Sequence, residues 1–429
     1  VLAWVAITGP GLMLATTLET IQSTDSKRAN YTRGILVMLV AALLFKVVWF
    51  SQLGLGHGRE LVDFAAFYIT AKLVWLGDLD QAYQFAKLAI IEKQASGGHD
   101  GFMPWTYPPQ FNLLLAPFAL VPFGMAYLLF MASTLALYLA VLRRLAGNRF
   151  VLVLIVFFPT IGVTLACGQN SFLTAALIGL VCLYFEERPM LAGVALGLMI
   201  IKPHFAVAFA LYAILRRSWI VVMTAGAVVL ISSAICTVLF GMQIWTVMLQ
   251  SVHDSSVFLR EAYYPLYRMV STYAALRTTG FSASAAFIGQ GVVAVLALGI
   301  VLVAVYRKMP ARESLGLTAI ASVCISPYAY DYDFLIFSVG MALLLPALQA
   351  KAREWERAII YAAPIPIGAF GYMHTVHNNT PRTDVHWVDV LSIGGFGIAA
   401  LITLIVAILL LRESSSGSPV PAQGALARI

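Results

Sequence analysis

The chain has 429 residues, of which 61% are hydrophobic and only 11% charged, and its mean hydropathy is +0.87. A soluble domain carries about a quarter charged residues, so this composition excludes a soluble globular enzyme. The net charge of +7 does not mark a nucleic-acid binder, because the Lys and Arg residues fall in short clusters between apolar runs, as in a membrane protein.

In chain order, residues 1–17 are apolar but broken by Gly9, Pro10 and Gly11. They are compatible with a short extra span, a targeting remnant or an over-extended start. The first clear span is 34–53, long enough to cross a bilayer, and Lys27, Arg28 and Arg33 before it set its start in the cytoplasm. Hydropathy then drops through residues 54–107, which predicts an extracytoplasmic loop carrying amphipathic interfacial helices. Residues 107–142 are long enough for a helical hairpin interrupted near Pro122, but the charge pattern requires one net crossing. Later basic clusters at Arg143–Arg144, Arg188, Arg216–Arg217, Arg307–Arg312, Lys351–Arg357 and Arg412 all fit the cytoplasmic side of one zigzag. The expectation is an all-α polytopic bundle of 11 to 14 spans, a single transmembrane domain over 1–412, and a disordered Ser/Gly/Pro-rich tail over 413–429. Cys167, Cys182, Cys236 and Cys324 lack metal spacing and read as small core residues.

The same zigzag gathers the unusual polar residues on the opposite, extracytoplasmic side. Asp63 follows the first span and is trailed by Phe64, Phe67 and Tyr68. It suits either a helix cap or an acid at a sugar-binding rim. Trp105-Thr106-Tyr107-Pro108-Pro109 ends the loop rigidly, since paired prolines cannot sit inside a helix. Gly168-Gln169-Asn170-Ser171 and Lys202-Pro203-His204 interrupt apolar runs, where polar residues are costly and mark function. Lys202 lies where the positive-inside bias does not place cations, so an anion, most simply a lipid phosphate, is its expected partner. The loop after Gly241 adds Arg260 and Arg268 with the same implication. Tyr330, Asp331 and Asp333 lie between two spans. Their Asp-x-Asp pattern suits either helix caps or a divalent cation held with a substrate phosphate. No metal or other cofactor is expected otherwise.

Taken together, Asp63-Phe64, Tyr83, Tyr107-Pro108-Pro109, Gly168-Gln169-Asn170, Lys202-Pro203 and Ser326-Pro327 running into Tyr332-Asp333 resemble a known family. They are similar to the polyprenol-phosphate-sugar-dependent glycosyltransferases of the GT-C class, in particular to family 87 with its bacterial phosphatidylinositol-mannoside mannosyltransferases. The resemblance implies an enzyme of the bacterial plasma membrane whose active site faces the extracytoplasmic side. It implies a polyprenyl-phosphate hexose donor, mannose-like, a glycan or glycolipid acceptor, and Asp63 as catalytic base. Tyr68, Tyr107, Gln169, Asn170, Lys202, His204, Arg260, Arg268, Tyr330, Asp331 and Asp333 are the substrate-binding set. The chain departs from the mannosyltransferases in offering Asp331 and Asp333 where they carry histidine. The alternative class is a polytopic transporter or lipid flippase, which places ionisable residues near the bilayer midplane rather than at span ends.

Overall fold

The structure is a computed structural model, and it describes residues 9–55, 61–99, 103–377 and 390–412. Residues 1–8 and the tail at 413–429 lie outside that set. Among the described residues there is no strand, only one isolated bridge between Met269 and Tyr330. Everything else is helix and connection, as the backbone demands in lipid, where every N–H and C=O must be satisfied within its own segment.

The N-terminal part comprises α1 (Gly9–Ile21) and the 29-residue α2 (Asp25–Leu53), capped by the Thr24 side chain accepting from the Lys27 amide. The predicted loop contains α3 (Asp63–Leu76), α4 (Leu79–Ala82) and α5 (Phe85–Ala95). Then α6 (Pro109–Leu115) starts with Pro109 in its first turn and Pro108 as its cap residue, the place where a missing N–H costs nothing. At seven residues α6 cannot cross a bilayer. The crossing is made by α7 (Phe123–Ala146), whose 24 residues span about 36 Å at 1.5 Å per residue. Residues 107–142 therefore supply one net crossing and no hairpin.

A tight turn at Gly147–Arg149 leads into α8 (Phe150–Cys167), which runs back against α7. The Tyr127 hydroxyl near the start of α7 donates to the Leu165 carbonyl near the end of α8, at 2.6 Å. The chain continues through α9 (Ser171–Tyr184), α10 (Pro189–Leu198), α11 (Val207–Leu215), α12 (Trp219–Phe240) and the amphipathic α13 (Gln243–Arg260). It ends with α14 (Thr272–Arg277), α15 (Ala283–Tyr306), α16 (Ala311–Val323), α17 (Leu335–Lys351), α18 (Glu354–Ala362), α19 (Pro364–His377) and α20 (Ile393–Leu411).

Seven helical stretches among the described residues are long and apolar enough to cross a membrane, and the longest of them, Phe123–Cys167, is folded into the α7–α8 pair. Four further apolar helices have 10–17 residues. The expected 11 to 14 spans are therefore met at full length by fewer helices. The physical reason lies in burial: α9 is largely enclosed by protein, so it does not need the length that a lipid-facing helix needs. By contrast only 11% of the apolar window of α12 and 22% of that of α15 is buried within the protein. Their exposed Val238, Leu230, Ile288 and Val295 are an outer surface that only lipid suits. The chain is an integral membrane protein.

The two ends of the bundle differ. One end collects the basic clusters. Arg312 donates to the carbonyls of Leu145, Ala342 and Leu343, Arg307 to that of Leu410, and Arg149 to Gln349. Arg357 pairs with Glu19 at 2.8 Å and Arg412 with Glu356 at 2.5 Å. The other end collects Asp63, Gln169, Lys202, Arg268, Asp331 and Asp333. The segregation read from charge clusters is thus a property of the fold.

Candidate active site

Asp63 is the first residue of α3, and the cap position belongs to Val62, with no side-chain cap bond. The carboxylate lies one position inside the helix rather than at its cap. Its Oδ1 accepts from Nε2 of Gln169 at 2.9 Å. The Gln169 Oε1 in turn accepts from the Tyr107 hydroxyl at 3.0 Å and from the Asn170 amide at 2.8 Å. With both ends of its amide engaged, Gln169 has a fixed orientation and aims its N–H at Asp63.

Gly168 makes this approach feasible. It takes a left-handed conformation, φ +70°, to end α8, which favours glycine. A Cβ there would lie 2.5 Å from Cβ of Phe64, so any larger residue would push α3 and its acid away from Gln169.

The second half of the cluster consists of two ion pairs. Lys202 Nζ lies 2.6 Å from Asp333 Oδ1, which also accepts from the Ser171 hydroxyl at 3.0 Å. Asp333 Oδ2 accepts from the Tyr330 amide. Arg268 grips Asp331 with two bonds, Nε to Oδ2 at 3.0 Å and Nη2 to Oδ1 at 2.9 Å. Nη2 also donates to the Cys167 sulfur at 3.3 Å. Both aspartates are almost fully buried. The ring of Tyr332 lies between the two cations, 5.3 Å from Lys202 Nζ and 5.7 Å from the Arg268 guanidinium, and Tyr330 stacks on it at 5.2 Å. Gly371 of α19 closes the wall, since a Cβ there would meet Arg268 Cα at 2.8 Å and Asp331 Oδ2 at 3.0 Å.

Burial pushes the Asp63 carboxyl above its ordinary range, while Arg268 and Lys202 pull it down. Burial also raises the Tyr107 phenol well above its ordinary value, with Asp333 and Asp63 adding to the rise. That phenol therefore stays a neutral donor to Gln169. Asn170 is fully buried, and neither its side-chain oxygen nor its nitrogen has a hydrogen-bond partner. An unsatisfied buried amide costs about 1–3 kcal/mol, which is recovered if a ligand bonds there.

Of the residues singled out from sequence, the structure brings together Asp63, Tyr107, Gln169, Asn170, Lys202, Arg268, Tyr330, Asp331 and Asp333. His204 stands next to this group, half-buried and with its ring against Phe205. Tyr68 is not brought in: its hydroxyl donates to the Val121 carbonyl at 2.8 Å. Phe64, Phe67 and Tyr68 are buried against Phe123, Tyr127, Phe130 and Trp105, so they form a core rather than a sugar-facing rim. Arg260 is exposed at the end of α13, where its carbonyl accepts from Arg277. Asp331 and Asp333 each face a cation of their own. Among the described residues no group of three or more His, Cys, Asp or Glu side chains could hold a metal ion.

Sequence reasoning missed Cys167 as a contact of Arg268, Ser171 as a contact of Asp333, and the Gly371–Tyr372 wall, where the guanidinium lies 5.6 Å from the Tyr372 ring. Ser171 belongs to the polar interruption at 168–171, but its partner had no signal, and Cys167, Gly371 and Tyr372 had none because each sits in an apolar run.

No curated protein and no solved structure matches the chain. The profile of glycosyltransferase family 87 matches residues 105–327, which takes in Tyr107, Gln169, Asn170, Lys202 and Arg268 but neither Asp63 nor the Asp331–Asp333 pair. Asp63 is thus tied to the matched region by geometry, through its bond to Gln169. With more than half of its length matched, the chain belongs to glycosyltransferase family 87.

Proposed function

We propose that this glycosyltransferase moves a hexose, mannose-like, from a polyprenyl-phosphate donor to a hydroxyl of a glycan or glycolipid, with Asp63 as the base. The observation that carries the reading is Asp63 itself: a half-buried carboxylate held by Gln169, beside two cations, at the polar end of a lipid-facing bundle. A base is most effective when its pKa approaches the working pH, and burial shifts Asp63 in that direction.

In the proposed step Asp63 takes the proton of the acceptor hydroxyl while that oxygen bonds to the anomeric carbon. The bond from that carbon to the phosphate oxygen breaks, and polyprenyl phosphate leaves with one more negative charge. Lys202 and Arg268 supply fixed positive charge near that oxygen. Each already holds an aspartate, so the phosphate joins at N–H groups left over. Nη1 of Arg268 makes no hydrogen bond among the described residues, and the single bond of Lys202 there, to Asp333, leaves two N–H groups. Asn170 offers an amide to a sugar hydroxyl. The lipid-exposed helices suit a donor that arrives through the bilayer. The site faces the extracytoplasmic side of a bacterial plasma membrane, because most of the exposed arginines lie at the opposite end.

The test is purified protein with a panel of polyprenyl-phosphate sugars, scoring release of free polyprenyl phosphate in the presence of acceptor lipids. Release with a hexose donor is the expected result. Turnover with nucleotide sugars alone would overturn the donor class.

A further inference from the structure

A further groove lies far from Asp63, at the basic end. It measures about 760 Å³, between α2 and the α7–α8 turn. Arg28, Arg33 and Arg143 line its mouth, together with Asp25, which pairs with Arg28. Three arginines against one acid leave two positive charges there. Below them the α2 wall is apolar: Val37, Val40 and Leu44 follow one another at three- and four-residue steps, with Leu36 four residues before Val40, so they share one helix face. Phe150 and Val151 form the other wall. Val37, Val40 and Leu44 are more than half exposed, which is the state of a surface awaiting an apolar neighbour.

From Arg28 to Leu44 the groove extends about 24 Å at 1.5 Å per residue. One leaflet, half the hydrocarbon core with its headgroup layer, is about 20–22 Å deep. The groove is thus one lipid long, with cations at headgroup depth and hydrocarbon at acyl depth. We propose that it binds one anionic phospholipid of the bilayer, with the headgroup phosphate between Arg33 and Arg143 and an acyl chain along α2. The charge of the mouth selects the headgroup, and the apolar wall separates a lipid from a free anion. The site is at the opposite end of the bundle from Asp63 and does not depend on the reaction proposed there.

The probe is the intact protein in nanodiscs of phosphatidylglycerol or phosphatidylcholine, with retained lipid counted by native mass spectrometry after mild delipidation. The wild type should retain phosphatidylglycerol in preference to phosphatidylcholine. Arg33→Gln and Arg143→Gln should each cut that preference about fivefold, the effect of one arginine at an anionic membrane surface. Ala41→Trp, which fills the groove without touching its charge, should reduce retention of both lipids. Melting temperatures in phosphatidylcholine should match the wild type, showing that the variants fold. Equal retention of the two lipids by the wild type would overturn the proposal. So would full protection by inorganic phosphate alone, or unchanged retention in Ala41→Trp.

Discussion

The two ends of the bundle use the same residue type in opposite ways. At the basic end arginines are numerous and exposed or half-exposed, and several of them satisfy the open carbonyls of helix C-termini, as with Arg307 on Leu410 and Arg312 on Leu145. Cations at such termini also complement the helix dipole. At the other end one arginine and one lysine are buried, each locked to an aspartate. A charge at the first end can relax into water or headgroups when its partner is lost. A charge at the second cannot, because a buried ion left alone keeps its desolvation penalty. The number of charges therefore says little about their importance, and the degree of enclosure says much.

The largest contrast expected is in Asp63→Asn. Asn keeps the shape and can still face Gln169, so melting in detergent should stay near wild type. Turnover should fall by on the order of 10² to 10⁴, the usual cost of losing a positioned base. A stable variant with full activity would remove Asp63 from the mechanism and leave the buried pairs as the next suspects.

Breaking a buried pair should show mainly in stability. Lys202→Met leaves Asp333 uncompensated, with an expected loss of roughly 3–5 kcal/mol, read by denaturation in detergent. Adding Asp333→Asn should restore most of that stability while donor binding stays weak. If the double variant binds donor normally, Lys202 serves only to anchor the loop.

A smaller effect is expected at Gln169, through protons rather than folding. Gln169→Leu removes the N–H that favours the ionised Asp63, so the carboxyl, already raised by burial, rises further. The base is active only when ionised, so the acidic limb of the kcat/KM profile should move to higher pH. A charge-assisted bond is worth about 1.5–3 kcal/mol, so a displacement of about one to two units is expected. An unmoved limb would show that Gln169 does not position the base.

The smallest effect belongs to the basic end. Arg216 and Glu186 are 3.3 Å apart with side chains 39% and 51% exposed. Arg216→Gln should cost about 0.2–1 kcal/mol and leave turnover unchanged. A loss as large as that of Lys202→Met would erase the distinction between the two ends.

Much of this was legible from the chain itself. Apolar runs long enough for lipid, separated by basic clusters, determined the fold class and the sorting of charge to one end, because each depends on local composition against a bilayer. The polar motifs around Asp63, Gln169, Lys202 and Asp331 also announced themselves, since a polar residue in an apolar run stands out wherever it ends up. What they do to one another was hidden. Only the tertiary structure decided that Gln169 faces Asp63 across 106 residues of sequence, that Lys202 takes Asp333 and Arg268 takes Asp331, and that the aromatics after Asp63 turn inward. Those outcomes depend on which helices pack together, and close packing at Gly168 and Gly371 is a property of two surfaces at once, which no single stretch of sequence contains.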